Sequence, residues 1–361
     1  MPGCLRRMWV VFVVCGGWVA FAGAADAAVA GTRPVEGLRE NTPEVHALVG
    51  GRIVVSPGRV IEKGTLIVRD GRIEAVGDVE TPADARVWDL TGKTISPGLI
   101  DAFTEVEVDA SSVRKGAAHW SEQVTPQLDV VDAGIRDAAA NKKLRSQGIA
   151  ARLIAPSGRI LKGGSAVVLT NDQDASTAVV SRNVAQHLRL TVSPGRGRSD
   201  YPSSPMGAVA LARQTFLDAD WYQRAWQASA ADASLPQPER NDALAAVAEH
   251  VARQGLFICD ASNELFVLRA DRFAREFSLN MVIRGSGHEY KRLEAIAACN
   301  RVVILPVDFP KPPNVATTEA ALRVDLDDLL HWEMAAENPA RLAKAGVTIA
   351  LSSHGLNDAG G

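Results

Sequence analysis

Residues 96–106, Ser96-Pro97-Gly98-Leu99-Ile100-Asp101-Ala102-Phe103-Thr104-Glu105-Val106, read SPGLIDAFTEV and divide the chain into two regimes. Before Pro97 the apolar runs are short and cut by Gly, Asp and Pro. After it, strand-like runs alternate with stretches of helical periodicity, and GLID is the first of those strands. The fold is therefore read outward from this point in both directions.

Toward the N-terminus lie ALVGGRIVV (47–55), GTLIVRDGRIEAVG (64–77) and ARVWDLTGKTIS (85–96). Asp70-Gly71 between LIVR and RIEAVG is a two-residue hairpin signal, because glycine accepts the positive φ that a type I′ turn demands. Residues 46–96 are thus expected to form several antiparallel strands, too few to close a large core alone. Residues 25–45 are polar, carry Pro34 and Pro43, and read as a linker. Residues 1–24 read as a secretory signal peptide: Arg6 and Arg7, an uncharged run from Met8 to Ala24 of about 17 residues, and small residues that fit a cleavage site. The expected location is secreted or periplasmic, with no membrane attachment after cleavage.

Toward the C-terminus, VVDAGIRDAAANKKLRSQG (130–148) has helical periodicity. IAARLIAP (149–156) and SAVVLTN (165–171) look like strands separated by a Gly-rich turn, 158–164. Residues 206–230 read as helix. Leu244, Val247, Ala248 and Val251 keep the i, i+3, i+4, i+7 spacing. LFICD, NMVIRG, RVVILPV and VTIALSS read as strands with helices between them. Strands alternating with helices of 10 to 15 residues imply parallel βαβ units. The predicted class is α/β: a (β/α)8 TIM-like barrel over residues 97–361, with a small, incomplete N-terminal β-sandwich part over 46–96. No GxGxxG follows the first strand, which argues against a dinucleotide fold.

The chain has 361 residues, 47% of them apolar and 22% charged, with a formal net charge of -3. No basic stripe with interleaved aromatics is present, so nucleic acid is not an expected partner. Cys4 and Cys15 would leave with the signal peptide. Cys259 and Cys299 remain and read as inert buried thiols, not as a disulfide framework.

VRDGRIEAVG followed by DLTGKTISPGLID resembles the amidohydrolase superfamily, its imidazolonepropionase-like branch in particular. The resemblance continues through GRILKGGSAVVL, LRADRFAREFSLNMVI and GVTIALSSHG, and so spans roughly residues 46–355. It implies hydrolysis of carbon–nitrogen bonds other than peptide bonds. It also implies a β-sandwich built from both chain ends, of which the last helices and returning strands are missing after Gly361. In such enzymes a metal-bound water of lowered pKa attacks the substrate and an aspartate handles the proton. Carried over by position, the two strand 1 ligands fall on Phe103 and Glu105 and the strand 5 ligand on Asp260 or its neighbours. The strand 6 ligand falls near Gly285, with His288 three residues on, and the strand 8 aspartate on His354. Phenylalanine has no lone pair and glycine no side chain, so the usual metal site is expected to be degenerate. No metal ligands and no cofactor are expected, and a divalent metal such as zinc only in a rearranged site.

In a barrel, chemistry sits where strands end. Glu105, Asp260 and His354 are the candidate catalytic residues, read either as a rearranged acid–base or metal-holding site or as a polar rim bonded to itself. The alternative to a hydrolase is a non-catalytic barrel that binds a small-molecule ligand or completes a second hydrolase-like chain. His250 and His331 read as structural, and His288 as a helix-start residue near solvent. Lys162-Gly163-Gly164-Ser165 lacks the GxxxxGK[ST] order of a phosphate loop and is read as a turn. Trp221 and Trp226 are expected in a core or an interface.

Overall fold

The computed structural model describes residues 44–108, 116–132, 138–171, 178–192 and 200–356. The expected signal peptide and residues 25–43 of the expected linker lie outside the described residues. The chain divides into two compact units at Ser96 and Pro97.

The first unit is one five-stranded sheet: β1 Val45–Ser56, β2 Arg59–Arg69, β3 Arg72–Gly77, β4 Arg86–Asp89 and β5 Thr94–Ile95. The strand β1 begins where the linker was expected to run to residue 45. The hairpin forms where the spacing predicts it. Asp70 and Gly71 have φ of 51° and 72°, and Arg69 pairs with Arg72. Two strands depart from the antiparallel expectation, since β4 and β5 both lie parallel to β1. The loop between β3 and β4 carries the chain across the sheet to β1, on the side away from β2.

The second unit alternates strands and helices. In order they are β6 Leu99–Val106, α1 Ala138–Ser146, β7 Ile149–Pro156, β8 Leu161–Gly164, β9 Ala166–Leu169, β10 Val179–Ser181 and β11 Ala185–Arg189. Then come α2 Pro205–Ala231, α3 Asp242–Ala252, β12 Leu256–Asp260, α4 Glu264–Glu276 and β13 Asn280–Arg284. A 3-10 turn, Glu289–Arg292, leads into α5 Leu293–Cys299, followed by β14 Val303–Pro306, α6 Thr318–Ala321, α7 Leu326–Ala335, α8 Asn338–Lys344 and β15 Ile349–Ser352.

The expected closed barrel is not what the hydrogen-bond ladders show among the described residues. One sheet runs β10-β9-β7-β6 and the other β15-β14-β13-β12-β11-β8. The reason is visible at both seams. The edge of β7 that a parallel neighbour would take is occupied by β9, antiparallel to it. At the other seam β15 meets β6 through side chains: Ser352 Oγ donates to the Phe103 carbonyl at 2.5 Å, and the Ser353 amide to Asp101 Oδ1 at 3.1 Å. Residues 158–164 also differ from expectation, because Leu161–Gly164 is a strand paired antiparallel with β11.

Alternation along the strands sorts two layers, since successive side chains point to opposite faces. Phe257 and Cys259 on β12, Met281 and Ile283 on β13, and Val303 and Leu305 on β14 face outward, in one core with α2, α3 and α4. Phe216, Phe257, Phe273 and Phe277 meet there, with ring centroids 4.9–5.6 Å apart. Phe103, Ala185, Ile258 and Ile304 form a smaller inner core, with Val282 and Ala350 against it. Trp221 and Trp226 are exposed at 58% and 36%, so the described residues do not place them in a core. Cys259 and Cys299 are buried free thiols.

Candidate functional site

The inner face that holds Phe103, Ile258, Val282 and Ile304 continues by one step of period two to Glu105, Asp260, Arg284 and Pro306. These four residues and His354 line a cavity of about 580 Å³ at the C-terminal ends of the parallel strands. Arg189, Thr191, Ser286 and Asp308 complete its polar wall. The three candidate residues, two at the ends of β6 and β12 and one in the turn after β15, thus converge on one cavity.

Beneath the cavity lies a residue the sequence reading did not count as a site residue. Lys162 on β8 is fully buried, and its Nζ donates to both Glu105 Oε1 and Asp260 Oδ2. A buried ammonium is tolerated only when paired, and here one cation joins two of the three candidate residues. On the far side of Asp260, Arg284 Nη1 lies 3.4 Å from Oδ1. The Arg284 guanidinium rests over the Phe103 ring, 4.5 Å from its centroid. Phe103, at a position where the family resemblance expects a ligand, therefore serves as a platform for a cation.

His354 completes the group. Its Nδ1 accepts from the Glu105 amide at 3.5 Å, and its Nε2 stands 3.7 Å from Glu105 Oε2. Its ring meets Phe103 edge-on at 5.5 Å. Burial, reinforced by the Arg284 guanidinium, pushes the imidazole below its ordinary range against the opposing pull of Glu105 and Asp260. The ring is neutral at pH 7. Burial alone would raise the Asp260 carboxyl. Lys162 and Arg284 outweigh it and bring that group down to about 2. Asp260 is thus a fixed anion at neutral pH, a counter-charge and not a proton carrier.

His187, on β11 beside Lys162, is buried, and among the described residues neither ring nitrogen has a hydrogen-bond partner. Its ring lies 5.7 Å from Phe103. Burial and then the Lys162 charge lower its pKa to about 3, so it too is neutral. The remaining histidines have structural surroundings. His250 is buried: Nε2 bonds the Leu256 carbonyl at 2.8 Å and Nδ1 meets Arg253 at 2.8 Å. His288 starts the 3-10 turn and stacks on His331, with centroids 3.8 Å apart.

Comparison with known proteins adds to this geometry. A dihydroorotase from Anaeromyxobacter dehalogenans is 37% identical over 76 residues, 21% of this chain and 18% of that protein. An imidazolonepropionase from Symbiobacterium thermophilum is 33% identical over 105 residues, 25% of each. Among solved structures, an amidohydrolase from Thermotoga maritima aligns with a TM-score of 0.65 over 85% of this chain and 78% of that one, at 24% identity. The chain is similar to amidohydrolases in sequence over a segment and in fold over most of its length. The matched segments span only about a fifth to a quarter of the curated relatives. No protein-family profile matches.

Proposed function

We propose that this chain is an amidohydrolase-type protein, related to hydrolases of carbon–nitrogen (non-peptide) bonds, whose strand-end cavity binds a small molecule without a divalent metal. The observation that carries the reading is Lys162. Its ammonium lies between Glu105 and Asp260, the two carboxylates best placed to hold a cation, and is bonded to both.

The donor set does not suit zinc, which needs several N, O or S ligands converging on one point. Phe103 offers carbon, and its ring carries Arg284. Gly285 has no room for a ligand: a Cβ there would sit 2.9 Å from Glu289 Cδ and 3.2 Å from Val303 Cγ1, with Glu289 Oε1 closer still. Among the described residues no cluster of three or more His, Cys, Asp or Glu side chains is arranged to hold an ion. The metal-hydroxide route that the family resemblance implies therefore finds no matching ligand set among these side chains.

A second reading rests on the 3.7 Å approach of His354 Nε2 to Glu105 Oε2. A neutral imidazole can take a proton from an attacking water and, as the imidazolium held beside the Glu105 carboxylate, return that proton to the leaving amine, so metal-free hydrolysis of a cyclic imide or amide is chemically open to this pair. Both readings meet one assay, hydrolysis of a panel of cyclic imides and amides with and without added zinc. The binding reading expects no turnover in either arm. Turnover without zinc that is lost in His354→Ala supports the second reading, and zinc-stimulated turnover contradicts both.

A further inference from the structure

We propose that the cavity is specific for small molecules carrying a single carboxylate, and that Arg284 is the residue that receives it. The proposal rests on the ligand-binding reading above and names the ligand's chemistry.

Arg284 carries five N–H donors in a planar fork. Among the described residues its guanidinium makes no hydrogen bond. Its contacts are the Asp260 carboxylate at 3.4 Å, whose other oxygen is bonded to Lys162, and the face of Phe103. The side chain is 21% exposed, and the surface it exposes belongs to the cavity wall. An arginine fixed against an aromatic ring, largely withdrawn from water and with its donors unspent is a fork waiting for a bidentate acceptor, and carboxylate has the matching geometry.

The charge of the surroundings selects among anions. Arg189, Arg284 and the underlying Lys162 face Glu105, Asp260 and Asp308, three cations against three carboxylates, while His354 is neutral. A monoanion docked on Arg284 adds one charge to this balanced set, whereas a phosphate dianion adds two. The cavity, about 580 Å³, is of the size that encloses a small metabolite.

The test is calorimetric titration of the purified chain with N-acetylglycine, its neutral amide and inorganic phosphate at constant ionic strength. N-acetylglycine is expected to bind at least about tenfold more tightly than the other two, the ratio typical of one charge-assisted bidentate contact. Arg284→Gln should remove that preference. Arg284→Lys should keep part of it, because the charge stays and the fork is lost. Circular dichroism and the melting temperature establish that each variant is folded, and Arg224→Gln, an exposed arginine of α2 paired with Asp220 and outside the cavity, controls for a general charge effect by leaving the preference in place. Equal binding of the acid and its amide, tighter binding of phosphate, no heat with any probe, or an unchanged preference in Arg284→Gln overturns the proposal. None of these outcomes bears on metal content, so this inference and the metal-free reading fail separately.

Discussion

At the scale of single residues, Lys162 governs the site. Its ammonium is enclosed without solvent and satisfied by Glu105 and Asp260. Lys162→Met keeps the length of the side chain and removes its charge, leaving two carboxylates facing one another in a buried place. The expected cost is about 3–5 kcal/mol of folding stability, the range for breaking a buried ion pair from one side. Chemical denaturation measures it. Adding Glu105→Gln and Asp260→Asn to Lys162→Met should restore most of the loss, since no charge is then left unpaired. A triple variant as unstable as the single one would mean that Lys162 acts through packing alone. The sequence carried a signal for this residue that pattern reading passed over: a lysine inside the apolar run Ile160-Leu161-Lys162, followed by two glycines.

At the scale of elements, the loop after β13 is held by a buried carboxylate. Glu289 accepts from the Ser286 amide at 2.7 Å, the Gly287 amide at 3.0 Å and Asn338 Nδ2 at 2.7 Å, and so joins this cavity-lining loop to α8. Glu289→Ala should destabilise the second unit by about 2–4 kcal/mol, because one buried and two half-buried donors lose their acceptor. Glu289→Gln should cost less, since its amide oxygen can keep at least one of those bonds. Urea midpoints of the two variants check the order, and equal midpoints would contradict it. The elements themselves were largely legible in the sequence. Leu256–Asp260, Asn280–Arg284 and Val303–Pro306 announce themselves as β-branched and apolar runs, and the Asp70-Gly71 turn by its residue pair. The strands β8 and β11 were not legible, and the reason is physical: they carry Lys162 and His187 into the interior, so their polarity hides their burial. Glu105, Asp260, Arg284 and His354 could be placed at strand ends from sequence, whereas Lys162 could not, because its strand was read as a turn. Sequence position does not reveal which cation meets which carboxylate across a sheet.

At the scale of the whole molecule, the buried titratable groups make folding sensitive to acid. His187 has a folded pKa of about 3 against 6.5 for a free imidazole. The unfolded chain therefore binds the proton more readily. The stability His187 contributes is complete above pH 6.5 and declines as pH falls toward 3, at about 1.4 kcal/mol per pH unit. His354 is shifted in the same direction, and Asp260 extends the decline from 3.8 to about 2. Urea midpoints between pH 7.5 and 4 should fall steadily, and His187→Leu should flatten the upper part of that slope. A midpoint that stays constant from pH 7 to 4 would contradict the burial of a neutral His187. The central claim, that an internal lysine holds the place of a divalent ion at the ends of these strands, is tested most directly by elemental analysis. The chain would be purified from zinc- and manganese-supplemented culture and dialysed without chelator. No stoichiometric transition metal is expected, and about one tightly held zinc or manganese ion per chain would show that Lys162 does not exclude it.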